Sequence, residues 1–280
     1  MTSASNVKYA IAMIAGLAAT GTAGAADLLP PPPPLPEPPT IHVGGGLYLR
    51  GYIGMTNQDV GKLDNVQFET AAVSWVSEPG FDSSPLFGGG IGWTINNWFR
   101  VDATAEYRGR ATFHAMDVYD TNPPDSNIDG SNEYGGAKSE WLLLANAYLD
   151  LGTWHGITPY VGAGIGASRN TIHNFTDINT PNAGAAYGAT KSKWDLAWAL
   201  HAGMGYQVTD RLTIDLAYRY LDMGDGVTGD LIAYDGTNTV VNPMHFEDLT
   251  SHDVMLGIRW NFDAPEPVMD LPPPPPVYKH

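Results

Sequence analysis

AWALHAGMGYQVTDRLTIDLAYRYLDMG, the stretch from Ala197 to Gly224, reads as two amphipathic strands joined by a tight turn. Before the turn, Leu196, Trp198, Leu200, Ala202, Met204 and Tyr206 share one face. Asp195, Ala197, Ala199, His201, Gly203, Gly205 and Gln207 share the other. After it, Leu212, Ile214, Leu216, Tyr218 and Tyr220 alternate with Thr213, Asp215, Ala217, Arg219 and Leu221. Side chains alternate between the faces of a strand, so a period of two is a β signature. Each apolar face runs about 9–11 residues and ends in an aromatic, which suits a tilted strand crossing a bilayer. Val208–Arg211, VTDR, is the turn. A soluble hairpin would show the same alternation, so the rest of the chain has to decide.

The pattern recurs. A first strand over 46–55 puts Leu47, Leu49, Gly51, Ile53 and Met55 opposite Tyr48, Arg50 and Tyr52. A second over 86–95 shows Phe87, Gly89, Ile91, Trp93 and Ile95 on one side, and Asn96-Asn97 then offers a turn that favours positive φ. The third, 98–109, sets Phe99, Val101, Ala103, Ala105 and Tyr107 against Arg100, Asp102, Thr104, Glu106 and Arg108. A fourth over 140–151 aligns Trp141, Leu143, Ala145, Ala147, Leu149 and Leu151, and a fifth reads ITPYVGAGIGAS. The hairpin supplies the sixth and seventh. The eighth, 252–262, carries Val254, Leu256, Ile258, Trp260 and Phe262 outward and Asp253, Met255, Gly257, Arg259 and Asn261 inward.

Connections give an independent signal. Links one–two, three–four, five–six and seven–eight run to about 24–30 residues, and the other three are a few residues each. Strict alternation of long loops with short turns is the outer-membrane arrangement, with the long loops outside. An even strand count then places both termini on the periplasmic, short-turn side. The fold expected is all-β: an eight-stranded antiparallel up-and-down transmembrane barrel over 44–262, with long extracellular loops.

Lipid solvates neither a charge nor an open sheet edge, so the charged faces must turn inward and the sheet must close. The lumen is then expected to hold Arg50, Arg100, Asp102, Glu106, Arg108, Asp150, Asp195, Asp215, Arg219, Asp253 and Arg259. An eight-stranded barrel is just wide enough for side chains to fill it, so paired charges would plug it. Gly88/Gly90/Gly92, Gly162/Gly164/Gly166 and Gly203/Gly205 make small inward rows, read as room for long neighbours such as Tyr48 and Arg100. The rival reading is a small water-filled cavity.

Outside the barrel the chain changes character. Residues 1–25 read as a secretory signal: Lys8, the apolar run YAIAMIAGLAA, then Ala23-Gly24-Ala25 as an A-x-A cleavage site. Residues 26–43 include LLPPPPPLPEPPT, and 263–280 include LPPPPPVYKH. Successive prolines fix φ and remove donors, so these are expected to be disordered, polyproline-like periplasmic tails. The full sequence of 280 residues has no cysteine and a formal charge of −16, which excludes disulfides, thiolate metal sites and a lipid-anchored cysteine and argues against nucleic acid.

No catalytic, cofactor or metal site is assigned. His42, His114, His155, His173, His201, His245, His252 and His280 show no metal-ligand spacing. Only His201 is placed in the lumen within a strand. A lipid-modifying serine hydrolase would need a Ser–His pair on the lipid-facing side, and no strand pairs an outward His with an outward Ser. His114 near Phe113 and His173 near Phe175 would be loop candidates for haem. Asp117, Asp120, Asp125 and Asp129, with Asp222, Asp225, Asp230 and Asp235, lack EF-hand spacing and read as screened loop charge.

AADLLP after the signal, TPYVGAGIGAS (Thr158–Ser168), GYQVTDRLTIDLAYRYLDMG (Gly205–Gly224) and HDVMLGIRWNF (His252–Phe262) resemble the small alphaproteobacterial outer-membrane barrel family, the OmpA-type, opacity-like surface antigens. The resemblance implies a Gram-negative outer-membrane location, contact with membrane lipids including lipopolysaccharide, and insertion by the outer-membrane assembly machinery through the terminal aromatic strand. It implies a structural role in envelope integrity, with loops exposed for surface interactions. Members commonly stop at the terminal Phe, whereas this chain continues past Phe262. No peptidoglycan-binding domain is read there, so that role is not carried over. The alternatives are a porin-like channel for small solutes, or a receptor or adhesin built on the loops.

Overall fold

The computed structural model describes residues 46–123 and 127–262; the signal, both proline-rich segments, His42, His280 and Asp125 fall outside the described residues. Eight long strands form the wall: β1 (Leu47–Asp64), β3 (Ser84–Asn96), β4 (Phe99–Asp120), β5 (Gly130–Asp150), β6 (Ile157–Asn179), β8 (Lys191–Gln207), β9 (Leu212–Asp222) and β12 (His245–Asn261). Each pairs antiparallel with its neighbour in this order, β6 with β8 directly, and β12 returns to β1 from Tyr48↔Asn261 to Asp64↔His245. The sheet is therefore closed, and the wall has no free edge. Closure lets a barrel leave no backbone group unpaired in hydrocarbon.

The hydropathy of the wall is inverted. Arg100, Arg108 and Arg219 are among its largest fully buried side chains, whereas Ile53 and Leu196 are 65% and 62% exposed. Outward Leu49, Phe87, Trp93, Trp141, Leu143, Leu200, Leu256 and Trp260 form the apolar belt that the alternation required. Inside, tyrosines interdigitate with glycines of the next strand. A Cβ at Gly92 would stand 2.2 Å from the Tyr48 ring, and one at Gly203 would stand 2.6 Å from that of Tyr160. The small inward rows therefore make room for neighbouring rings, as expected for Tyr48.

At one end the strands meet in short turns. The β8–β9 turn is Val208–Arg211 as read, with the Val208 amide donating to the Leu212 carbonyl at 2.8 Å. The β3–β4 turn uses different chemistry from that expected. Neither Asn96 nor Asn97 takes positive φ; instead the Asn96 carboxamide oxygen accepts from the amides of Trp98 at 3.0 Å and Phe99 at 2.9 Å. Trp98 belongs to this turn, and β4 begins at Phe99.

At the other end the expected strand limits are too short. The third strand, expected to end at 109, runs to Asp120; the fourth begins at Gly130, not 140; the fifth ends at Asn179, not 168. Much of the links is thus continued wall. Short strands elaborate it: β2 (Ala72–Phe81) pairs with upper β4, β7 (Gly184–Gly188) with upper β6, β11 (Leu231–Ala233) with β7, and β10 (Gly226–Val227) with upper β12.

The extension has its own rule. On four strands, successive buried inward residues step by two and then once by three: Val60 to Leu63, Arg108 to Ala111, Ile172 to Phe175, and Leu249 to Phe246. On β4 the step is a register shift opposite β5, and on β6 it contains Asn174 at φ 49°. Each step adds a residue and reverses which sequence parity faces in. Val101, Ala103, Ala105 and Tyr107 face out below the β4 step; Ala111, Phe113 and Ala115 face in above it. The extended rim is thus an ordinary water-facing sheet with an apolar interior.

Gly92→Val should lower unfolding stability by roughly 1–3 kcal/mol through overpacking against Tyr48, read as the urea midpoint of vesicle-inserted protein. Gly51→Ala, where nothing lies within 4 Å of the added carbon, should be close to neutral.

Candidate functional site

The lumen and the extended rim are the two places where chemistry could reside. The lumen is filled in three tiers. Nearest the short turns, Arg50 donates to Asp102 at 2.9 Å and to the Tyr148 hydroxyl at 2.7 Å, and Arg100 donates to Asp150 at 3.0 Å. Arg259 meets Asp215 at 3.3 Å. The Arg100 guanidinium also lies over Tyr148 and Tyr160, at 4.4 and 4.5 Å from the ring centroids.

Above this tier, Arg219 holds both Glu106 oxygens at 2.7 and 2.9 Å and reaches Asp253 at 2.8 Å. Arg108 takes the same Asp253 at 2.9 Å, Ser251 at 2.8 Å and Glu106 at 3.2 Å. Lys138 pairs with Glu140 and donates to Gln58 at 2.6 Å. Charges buried this deeply survive only when paired and hydrogen-bonded.

The third tier is apolar. Phe81, Phe113, Phe175 and Phe246 pack with ring centroids 5.0–6.0 Å apart, joined by Leu63, Ile172, Met244 and Leu249. These rings pack against one another across the top of the lumen. Sequence reading missed this cap, together with Lys138, Glu140 and Gln58. Gln58, Lys138 and the cap residues lie beyond the expected strand limits, and Glu140 lies at the first position of the expected fourth strand.

The structure brings together the expected lumen charges. Asp195 is the exception: it points inward at the rim, only half-buried, and pairs with Lys193 at 2.8 Å. His201 is inward and buried, with Nε2 3.1 Å from the Asn146 side-chain oxygen. The haem candidates do not assemble. His114 lies exposed on the outer face of β4 while Phe113 is buried inside, and Phe175 is buried inside while His173 faces out. Both histidines are on strands, not loops. Sequence reading did not foresee the cross-strand pair of Ser139 Oγ with His173 Nε2 at 2.9 Å. Ser139 is buried, and among the described residues no carboxylate hydrogen-bonds this imidazole, so the arrangement lacks the orienting acid of an acyl-transfer triad.

Asp117 corrects another expectation. It is no solvated loop charge but a buried inward residue of β4, accepting from the Tyr134 hydroxyl at 2.8 Å and the Asn132 amide at 3.1 Å. Burial raises its carboxyl above the ordinary range. Asp177, on the neighbouring extension of β6, is pushed up to about 7, first by burial and then by the Asp117 charge. Asp120, Asp129, Asp230 and Asp235 accept from groups of their own loops, as loop charges do.

A closed sheet of eight wall strands, apolar outside and ion-paired within, defines a transmembrane β-barrel. Residues 38–262 match the model of the outer membrane protein beta-barrel domain, and the chain belongs to that family. It is 33% identical over 235 residues to an uncharacterized protein of Brucella abortus (strain 2308), covering 76% of this chain and 81% of that one. It is 26% identical over 233 residues to outer membrane protein PagN of Salmonella typhimurium (78% and 90% covered), and 26% over 178 residues to a Rickettsia rickettsii protein whose name proposes an adhesin (61% and 72%). Neisserial surface protein A aligns at 14% identity and a TM-score of 0.44, over 78% of this chain and 99% of that one. A Gram-negative outer-membrane location follows from the family.

Arg219→Met leaves Glu106 and Asp253 with Arg108 as their one remaining shared cation, so two buried carboxylates face a single guanidinium. The expected loss is about 3–5 kcal/mol of stability, read from urea unfolding in lipid. The acidic corner gives a pH dependence. A carboxyl whose folded pKa is raised contributes stability in acid, which is lost as pH rises from the ordinary carboxylate range through about 7. Hydrogen exchange of Tyr134–Ala137, corrected for intrinsic rate, should therefore quicken between pH 5 and 8, and Asp177→Asn should flatten that change.

Proposed function

We propose that this protein is a non-conducting, non-catalytic barrel that supports the outer membrane and presents its extended rim for surface interactions. The observation that carries the reading is the filled lumen. Ion-paired tiers occupy its lower part, and the phenylalanine cap lies across it above. A porin-like path would need water continuity that such packing denies.

The extended rim supports the second half of the reading. Tyr187 and Ile232 are paired across β7 and β11 and are both exposed, with Tyr234 at 73% and Val241 at 77% exposure beyond them. Large apolar side chains held in water on a built sheet are the usual mark of a contact surface. The name of the Rickettsia relative points the same way. On this reading the rim faces the exterior, the short turns and both termini face the periplasm, and the proline-rich tails are periplasmic arms. Lipopolysaccharide surrounds the barrel, and the assembly machinery inserts it through the β12 strand.

Purified protein in a planar bilayer should give no stable open level. A steady, large conductance would replace this reading with the channel. In the same preparation, Phe113→Ala with Phe246→Ala opens the cap but leaves the ion-paired tiers, so intermittent leakage should appear only when Arg219→Met is added.

A further inference from the structure

Lysine and arginine number 14 in the chain, and eight of the twelve described ones have an ion-pair partner or a place in the lumen; of the other four, Arg211 lies at the β8–β9 turn and Lys191 at the start of β8. Arg50, Arg100, Arg108, Lys138, Arg219 and Arg259 face inward; Lys62 pairs with Asp64 and Glu247, and Lys193 with Asp195 and Asp225. Arg110 and Arg169 differ. Both are exposed on the outer wall, and among the described residues neither has an ion-pair partner. They lie on nearly one line across the sheet. Arg110 sits in the β4 step opposite Ser139, Ser139 pairs with Thr171, and Arg169 stands two residues below Thr171. Between and beside them the outward groups are Ser139 and His173, bonded to each other, and Thr171 and Ser192, with Oγ1 and Oγ 2.9 Å apart. Between Arg110 and Arg169, among the described residues, the outward positions carry no carboxylate, Glu140 and Asp195 facing inward; exposed Asp82 lies beyond Arg110, its amide donating to the Thr112 carbonyl at 2.9 Å.

The strip lies at a water–lipid boundary. Arg169 is directly paired with Trp141 on one side and Trp194 on the other, both about half exposed, and Trp141 packs on Tyr107 at 5.2 Å. Tryptophan and tyrosine collect where headgroups meet hydrocarbon.

Below the strip, on the same strands, the belt is hollowed. Ala103, Ala145, Ala147 and Ala163 stand side by side, with larger Val101, Leu143, Leu149, Val161 and Ile165 at neighbouring outward positions. They floor an apolar groove of about 780 Å³ walled by Trp93 and Ile165. From Arg169 to Ile165 is four residues, about 13 Å at roughly 3.3 Å per residue. The floor continues to Ala163, six residues from Arg169, so with a strand tilt near 40° the groove lies about 10–15 Å deep, reaching the midplane of a core roughly 30 Å thick.

We propose that Arg110, Arg169 and the hydroxyl row between them bind the phosphate of a membrane lipid whose acyl chain lies in the alanine groove. Guanidinium groups bind phosphate oxygens through charge-assisted, often bidentate, hydrogen bonds; Thr171 and Ser192 supply neutral donors, while buried Ser139 holds His173 in place beside them. The groove gives the chain of that same lipid contacts that a flat belt would not. The occupant is a phosphate-bearing lipid of the leaflet that meets the extended rim. On the orientation proposed above, that leaflet is the outer one and the lipid is lipopolysaccharide.

The test is native mass spectrometry of the refolded full chain released from nanodiscs. The nanodiscs contain lipid A, phosphatidylglycerol or diacylglycerol, each diluted in the same carrier. Wild type should retain lipid A and phosphatidylglycerol about tenfold better than diacylglycerol. Arg110→Gln with Arg169→Gln should erase that preference, and Ala145→Phe should lower retention of all three by filling the groove. Gel mobility of unheated protein checks that each variant remains folded. Equal retention of diacylglycerol by wild type, or unchanged retention by the double variant, overturns the proposal. So does a groove variant that instead separates a dimer into monomers. Preference for phosphatidylglycerol over lipid A would keep the phosphate site and reverse the assumed orientation. Because no conductance or cell-surface binding is measured, failure here leaves the functional reading standing.

Discussion

Hydrocarbon accepts neither an unpaired amide nor an unpaired charge, and this one fact organises the molecule. It forces the sheet to close, β12 onto β1, because any open edge in lipid would strand a row of donors and acceptors. It also sends every charge of the strands below the Tyr107–Trp141–Trp194 boundary inward. The barrel is then too narrow to keep those charges in water, so each must find its counter-ion across the lumen. Arg219 between Glu106 and Asp253, with Arg108 sharing both acids, is the clearest outcome. Polar and ionic groups here take the place that an apolar core holds in a soluble sheet. A few angstroms higher, where water returns outside, Phe81, Phe113, Phe175 and Phe246 restore the usual order.

Fitting so many long side chains into one small lumen depends on the glycines. Tyr48, Tyr52, Tyr148 and Tyr160 lie flat against strands whose inward positions bear no side chain. The rings then sit within cation–π range of Arg50 and Arg100, so one arrangement satisfies both volume and charge. Conductance, stability and the order of the lumen are consequently one property, and it would be hard to alter any of them alone.

The spanning segments were legible because lipid imposes a strict period of two over a fixed length. Phe99–Tyr107 and Leu212–Tyr220 announce face, length and direction in the chain itself. The lumen charges were legible by elimination, since nothing else in a spanning strand can hold them. The rim was not legible, for a physical reason. Above the membrane both faces tolerate polar residues, so the alternation loses contrast. The extra residue at each step also breaks its phase just where a reader would look for its continuation. Asp117 and His114 thus read as loop residues, although they lie on opposite faces of one continuous strand. The Ser139–His173 contact joins residues of two strands and left no trace in either one.

Those steps of three have a consequence for how the chain can vary. Odd-numbered residues of β4 touch lipid up to Tyr107 and line the cap from Ala111 onward, with Gly109 and Arg110 as the hinge between two opposite reading frames. Loss of one of these two residues would close the step and restore strict alternation, with Arg108, Ala111, Phe113 and Ala115 all still inward. Loss of a residue just above them, such as Thr112, would instead turn Phe113 and Ala115 to water and His114 to the interior. Four strands place such a frame change at comparable positions, so together they mark a waterline on the wall. Segments above that line can be lengthened, exchanged or recombined as a cassette without disturbing the frame below. A surface under pressure to change would then be free to do so while the spanning wall stays fixed.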